Sequence, residues 1–214
     1  MGVFPSFRNP ESTDIHDEKL ALKDKNIILI GTGSVSAMYL PAWMSWFSET
    51  HPEANLRILL TPSAQGFLGL SALGAFAERI EFDTWKNHET ESYHVELQQW
   101  ADAFIIYPAT AHYIARFALG ACDSPAMLAL QSTSAPILIA PALPPGFLAS
   151  AAWQMHSAAI TQRKNAVIIP PVVGQSSYDL SVEAYPPQSF MKVVAELITK
   201  FSPVNNQRPS DEEK

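Results

Sequence analysis

Cysteine is almost absent from this chain of 214 residues: Cys122 stands alone. No disulfide can form within the chain, and a cysteine-rich zinc site is excluded. Charge is sparse as well. Only 16% of the residues are charged against 47% hydrophobic, and the formal net charge is −7. An acidic chain without a basic run lacks the electrostatic footprint of a nucleic-acid binder. No apolar run is long enough to span a membrane. Residues 1–20 have no apolar stretch and carry Glu11, Asp14, Asp17 and Glu18, which speaks against a secretory signal and for a cytoplasmic protein. His16, His51, His88, His112 and His156 show no metal-ligand spacing, so no metal is expected. So few charges on so apolar a chain point to surface buried against other subunits.

What is present is an alternation of short apolar runs and longer segments. Residues 1–24 are polar and read as an N-terminal extension, and 202–214 read as a flexible tail rich in Pro, Asn and charge. Between them, 26–30, 56–60, 103–107, 136–140 and 166–169 are nearly continuous apolar runs, the pattern of parallel strands covered on both faces. Helices are expected over 35–49, 63–78, 111–119, 124–133, 147–162 and 188–201. Strand-helix alternation implies βαβ crossovers, hence an α/β fold: a three-layer α/β/α sandwich with a Rossmann-like parallel sheet. Trp43, Trp46 and Phe47 fall on one helix and suit either the core or an interface. Ligands of such sheets bind where strands end.

Four strand-end segments can carry chemistry. Gly31-Thr32-Gly33-Ser34 follows the first strand, where glycines let the backbone approach a phosphate and a helix start offers free amides. A dinucleotide fingerprint would want a third glycine near Ser36 and an acid after the second strand; Thr61-Pro62-Ser63 stands there instead. A plain tight turn explains the glycines equally well. His94-Val95-Glu96-Leu97 precedes Trp100-Ala101-Asp102, and His94 near a helix start could act as a base or merely cap the helix. Tyr107-Pro108-Ala109-Thr110-Ala111-His112 joins a strand to a helix; it can lay small residues against a flat ring, or be an ordinary turn with a Thr cap. Ala140-Pro141-Ala142-Leu143-Pro144-Pro145-Gly146 reads by composition as a rigid proline loop.

Taken in order, these segments resemble the homo-oligomeric flavin-containing cysteine decarboxylases over about residues 25–200. That family includes phosphopantothenoylcysteine decarboxylase of coenzyme A synthesis and the decarboxylases of ribosomally made lanthipeptide, linaridin and thioamide peptides. Gly31, Thr32, Gly33 and Ser34 resemble its first phosphate loop, and Thr61-Pro62-Ser63-Ala64 its second. His94 with Trp100-Ala101-Asp102 resembles the segment of its catalytic histidine. Pro108-Ala109-Thr110-Ala111-His112 resembles its Pro-Ala-Ser-Ala-Asn-Thr flavin motif, and Gly120-Ala121-Cys122-Asp123 its Gly-x-Cys/Ala-Asp turn. Two positions depart from the pattern. His112 replaces the flavin-motif asparagine, and in the substrate loop 141–148 Pro144 replaces the asparagine that would hold substrate.

The resemblance implies FMN, with FAD as the alternative, contacted by Gly31, Thr32, Gly33, Ser34, Thr61, Ser63, Phe67, Pro108, Ala109, Thr110 and Ala111. It further implies His94 as the catalytic base or positioning group, and His112, Pro141, Leu143, Pro144 and Tyr178 around substrate. In the family chemistry a hydride leaves the cysteine Cβ, CO2 is lost from the resulting thioaldehyde, and an enethiol remains. The coenzyme A enzyme then reduces the enethiol, with a late flap cysteine as proton donor. The matching segment here, 172–187, has none. The expectation is therefore oxidative decarboxylation of a precursor peptide with a C-terminal cysteine, by a homo-oligomer with the trimer as its unit or a dodecamer. The alternatives are the coenzyme A enzyme and a non-catalytic flavin-binding regulatory subunit. Residues 172–187 are expected to close over the peptide, with Tyr178 or Tyr185 packing on it.

Overall fold

The computed structural model describes residues 20–77, 79–87 and 92–201. Six parallel strands form the central sheet: β1 (Asn26–Gly31), β2 (Asn55–Leu60), β3 (Arg79–Phe82), β4 (Ala103–Thr110), β5 (Ile137–Ala142) and β6 (Ala166–Ile168). Their order is β3-β2-β1-β4-β5-β6. The chain thus grows outward from β1 in one direction, then crosses back to start β4 on its other side. β1 pairs with β2 from Asn26↔Asn55 to Gly31↔Leu60 and with β4 from Ile27↔Ala103 to Ile30↔Ile106. The reversal lies between β1 and β4, which opens a crevice at their carboxyl ends.

Alternation along the strands sorts side chains to two cores. Ile27 and Leu29 of β1 enter one cluster, while Ile28 and Ile30 enter the other, all four fully buried. Burying each such side chain stabilises the fold by about 1.5–3 kcal/mol. The first cluster is closed by α1 (Leu40–Thr50) and α6 (Phe190–Phe201); the second by α2 (Tyr93–Trp100), α3 (Ala111–Ala118), α4 (Pro125–Ser132) and α5 (Ala151–Thr161). The expected three-layer sandwich is the observed one.

Differences from expectation have local causes. The helix expected over 35–49 is a 3-10 turn, Val35–Tyr39, followed by α1, with Pro41 in the first turn of α1 where its missing N–H costs nothing. The helix expected over 63–78 is only two 3-10 turns, Pro62–Phe67 and Leu70–Ala72. Gly66, Gly69 and Gly74 fall within that span, and each disfavours an α-helix by about 1 kcal/mol relative to Ala. β3 follows it as an edge strand that the sequence reading did not contain. β4 runs on to Thr110, pairing Ala109↔Pro141 and Thr110↔Ala142 after a register shift. The segment 172–187 contains a small antiparallel pair, β7 (Gly174–Gln175) and β8 (Glu183–Ala184). Leu22 is buried in the first core, so packed chain begins before residue 25; residues 1–19 and 202–214, most of the expected extension and the tail, lie outside the described residues. No helix among the described residues is long and apolar enough to cross a membrane.

The aromatic helix belongs to the core. Phe190 is fully buried, with ring centroids 5.1 Å from Tyr107 and 6.2 Å from each of Trp43, Trp46 and Phe47. Phe190→Ala should lower stability by about 3–5 kcal/mol, the usual cost of emptying such a site. Urea unfolding monitored by tryptophan fluorescence checks this; a loss below about 1 kcal/mol would show that α6 does not lock the layer.

Candidate functional site

The crevice between β1 and β4 is fastened by one side chain. Thr32, buried just past β1, donates its hydroxyl to the Pro108 carbonyl at 2.6 Å and accepts from the Thr110 amide at 3.0 Å. Gly33 comes next. A Cβ on Gly33 would lie 2.5 Å from Ser63 Oγ and 3.0 Å from the Ser63 backbone carbonyl carbon, so the loops after β1 and β2 touch only because position 33 has no side chain. The second loop is itself held to the first. The Thr61 amide donates to the Gly31 carbonyl at 2.9 Å, and the Thr61 and Ser63 hydroxyls lie 3.1 Å apart. Ser34 caps the 3-10 turn, accepting from the Ser36 amide at 3.3 Å.

Thr110 ends β4 and caps α3, its hydroxyl accepting from the Tyr113 amide at 3.3 Å. The first amides of α3 have no partner within the helix, and that helix end favours negative charge. On the opposite side, the loop after β5 is joined to the 172–187 segment. Leu143 and Tyr185 exchange backbone hydrogen bonds of 2.8 and 3.1 Å, and the Val172 amide donates to the Pro186 carbonyl at 3.0 Å. The flap is therefore anchored at its base by main-chain bonds.

These pieces enclose a cleft of about 390 Å³, within the range of small-ligand sites. Gly33, Ser34, Val35 and Ser36 come from the first loop; Thr110, Ala111 and His112 from the start of α3. Ala142, Leu143, Pro144 and Pro145 follow β5, and Gln175, Ser176, Ser177, Ala184, Tyr185 and Pro186 come from the flap. None of these residues is Asp, Glu, Lys or Arg.

The expected site residues divide accordingly. Gly33, Ser34, Thr110, Ala111, His112, Leu143 and Pro144 line the cleft. Gly31, Thr32, Thr61, Ser63 and Pro108 stand behind it, through the contacts given above. Ala109 is fully buried in the second core and Pro141 is a buried β5 residue. Phe67 and Tyr178 are not in the lining, and Tyr178 is 98% exposed at the flap tip, whereas Tyr185 lines the cleft. Val35, Ser36, Ala142, Pro145 and the flap residues Gln175, Ser176, Ser177, Ala184 and Pro186 also line the cleft; they fall in segments the sequence singled out but were not assigned to the site as single residues. The Leu143–Tyr185 pairing that gathers several of them is non-local and left no pattern in either segment.

His94 is not in the lining. It sits in the first turn of α2, its ring 5.8 Å from that of Trp85 in an edge-on arrangement. Among the described residues no hydrogen-bond partner reaches its buried Nδ1. The Trp85 indole donates to the Asp123 carbonyl at 3.1 Å, and the Arg116 guanidinium holds the Asp123 carboxylate below its ordinary pKa. Asp83 lies beneath, accepting from Ser124 Oγ at 2.7 Å and the Ala126 amide at 2.8 Å; burial pushes its carboxyl up, against the pull of those bonds.

The family model described as Flavoprotein matches residues 15–201. The chain belongs to the Flavoprotein family. Among its relatives, a cypemycin cysteine dehydrogenase (decarboxylating) of Streptomyces sp. is 36% identical over 115 residues, 53% of this flavoprotein and 60% of the relative. A coenzyme A biosynthesis bifunctional protein of Haemophilus influenzae is 31% identical over 146 residues, 67% of this chain and 34% of that one. The flavoprotein thus spans less than two thirds of the length of these curated relatives. The crystal structure of a cypemycin decarboxylase superposes with a TM-score of 0.63 at 28% identity, covering 70% of this chain and 84% of the other. That of SpaF, an FMN-dependent cysteine decarboxylase, gives 0.71 at 21% identity, covering 86% and 99%, and speaks for the fold alone.

The cofactor is a flavin, and the residues present fit one. Ala111 puts only a methyl group into the lining, the Ser34 and Ser63 hydroxyls stand at touching loops, and the lining sets no carboxylate against a phosphate. Gly33→Ala should push the two loops apart and lower flavin affinity at least tenfold, read by flavin fluorescence on titration into apoprotein. Thr32→Val should cost about 1–3 kcal/mol through the unpaired Thr110 amide and Pro108 carbonyl; unchanged thermal and urea stability would show that the crevice is held by other contacts.

Proposed function

We propose that this flavoprotein is an FMN-dependent oxidative decarboxylase of a C-terminal peptidyl cysteine, acting in the maturation of a ribosomally made peptide. The observation that carries the reading is the cleft, placed where β1 and β4 part, walled on one side by the flavin-family loops and on the other by an anchored flap without cysteine. The 36% identity to the cypemycin enzyme supports the same chemistry. Bound FMN supplies the two-electron acceptor for hydride leaving the cysteine Cβ. The protein's part is to place the thiol-bearing carbon, exclude water and move protons, with proximity lowering much of the barrier.

In this reading Ser34, Ser63 and the first amides of α3 hold the cofactor, while Leu143, Pro144 and Tyr185 receive the peptide end. His94 is the base that takes the thiol proton as the thioaldehyde forms. It lies outside the lining contributed by its own chain, so it reaches substrate where further chain completes the cleft. A homo-oligomer with the trimer as its unit supplies that chain, and the exposed Met38 and Tyr39 beside the lining residue Val35 support such a contact. With no flap cysteine to protonate the enethiol, the reaction stops there and the electrons pass to oxygen.

Decarboxylation of phosphopantothenoylcysteine is the second reading, favoured by the 31% relative from coenzyme A synthesis. Aerobic incubation of the flavin-loaded protein with cysteine-terminated peptides and with phosphopantothenoylcysteine, read by mass spectrometry, separates them. Loss of CO2 and two hydrogens from a peptide is the expected result. Loss of CO2 alone from the coenzyme A precursor would replace the first reading with the second. His94→Asn should lower turnover at least a hundredfold with flavin content unchanged; unimpaired turnover would remove His94 from the mechanism.

A further inference from the structure

A cysteine at a chain end brings a carboxylate into the cleft, and burying an anion is costly unless a donor meets it. Proline at position 144, where the resemblance places an asparagine side chain, offers no side-chain amide and no N–H. The remaining lining supplies hydroxyls from Ser34, Ser36, Thr110, Ser176, Ser177 and Tyr185, the last already donated to Glu183, and the Gln175 amide, all neutral. Of the lining residues only His112 can carry a positive charge. It enters from the start of α3, the same element on which the resemblance expects a second asparagine. Two departures from one pattern thus meet in one cleft: a donor is lost at 144 and a stronger one stands at 112.

We propose that His112 is the carboxylate receptor of this cleft, its imidazolium replacing the side-chain amide lost at position 144. The inference rests on the decarboxylase reading for the presence of a cysteine carboxylate, whether carried by a peptide or by a small acylated cysteine. The charges around His112 permit it. On α3, Arg116 is engaged by Asp123, and Asp123 also lies within electrostatic reach of His112. The flap brings Glu183, whose carboxylate accepts the Tyr185 hydroxyl at 2.6 Å. The lining segments 33–36 and 142–145 carry no ionisable side chain.

Two consequences follow from charge. A carboxylate bound by an imidazolium stabilises the protonated ring, so affinity is present at low pH and is lost as pH rises through the ring's titration. Because CO2 departs uncharged, the contact is stronger in the bound substrate than in the transition state; it lowers KM without raising kcat.

The test uses flavin-loaded protein labelled at histidine Cε1. The probes are a pentapeptide ending in serine, the same peptide as its C-terminal amide, and N-acetylserine. Binding is followed by calorimetry and NMR from pH 5.5 to 8.5. The free-carboxylate peptide should bind about tenfold to a hundredfold more tightly than the amide at low pH, the span of a charge-assisted hydrogen bond. It should also shift the His112 resonance upward in titration. His112→Asn should abolish the preference and its pH dependence, and His112→Asn with Pro144→Asn should restore the preference without the pH dependence. With a turned-over peptide, His112→Asn should raise KM and leave kcat undiminished. If N-acetylserine moves the His112 resonance but the peptide does not, the carboxylate role stands and the peptide substrate falls. If neither carboxylate moves it, or carboxylate and amide bind alike, the proposal is overturned.

Discussion

Two neighbouring parallel strands that part company at their ends leave main-chain groups that must be satisfied without closing the gap between them. In this protein the Thr32 hydroxyl does that at the β1/β4 crevice, donating to Pro108 and accepting from Thr110. Both partners belong to the short segment that turns β4 into α3. The start of α3, with its first amides and His112, is thus tied to the loop after β1 by a single buried oxygen, while Tyr113, Ile114 and Phe117 hold the body of the helix on the second core. Replacing that oxygen by a methyl group would keep the volume and lose both bonds.

The rest of the cleft is built outward from this tie by contacts of equally specific kind. Gly33 permits the first and second loops to touch, and the Thr61 amide keeps the second loop in register with the end of β1. On the far side the Leu143–Tyr185 pair fixes the flap base to the loop after β5. The lining that results holds no Asp, Glu, Lys or Arg.

Much of the fold was legible because both faces of the sheet are covered. Runs such as 26–30 and 103–107 are apolar at every position, and few structures other than a buried parallel strand accept that pattern. The helix over 63–78, expected because the segment between strands is long enough for one, failed for a reason also present in the sequence, three glycines in one span. β3 was hidden because Arg79 and Glu81 break its apolar run. They can do so because it is an edge strand, with Arg79 paired to Glu81 and Glu96. In the site, Gly33, Ser34, Thr110, Ala111 and His112 were identifiable from their places at strand ends. Ala109 was grouped with them by motif, yet the pleat turns its side chain into the second core.

The sequence by itself determined the alternation of elements, the two apolar faces of each central strand and the small or hydroxylated residues at the strand ends, because these follow from period and local chemistry. Tertiary structure alone decided which strand ends lie side by side. Strand order is set by long-range pairing and crossover, so nothing within residues 31–34 states that β4 will stand beside them, nor does 141–145 state that Tyr185 will pair with Leu143. The same long-range arrangement placed Pro144 and His112 in one lining and left His94 out of it, since contacts between distant segments depend on how the whole sheet is wound.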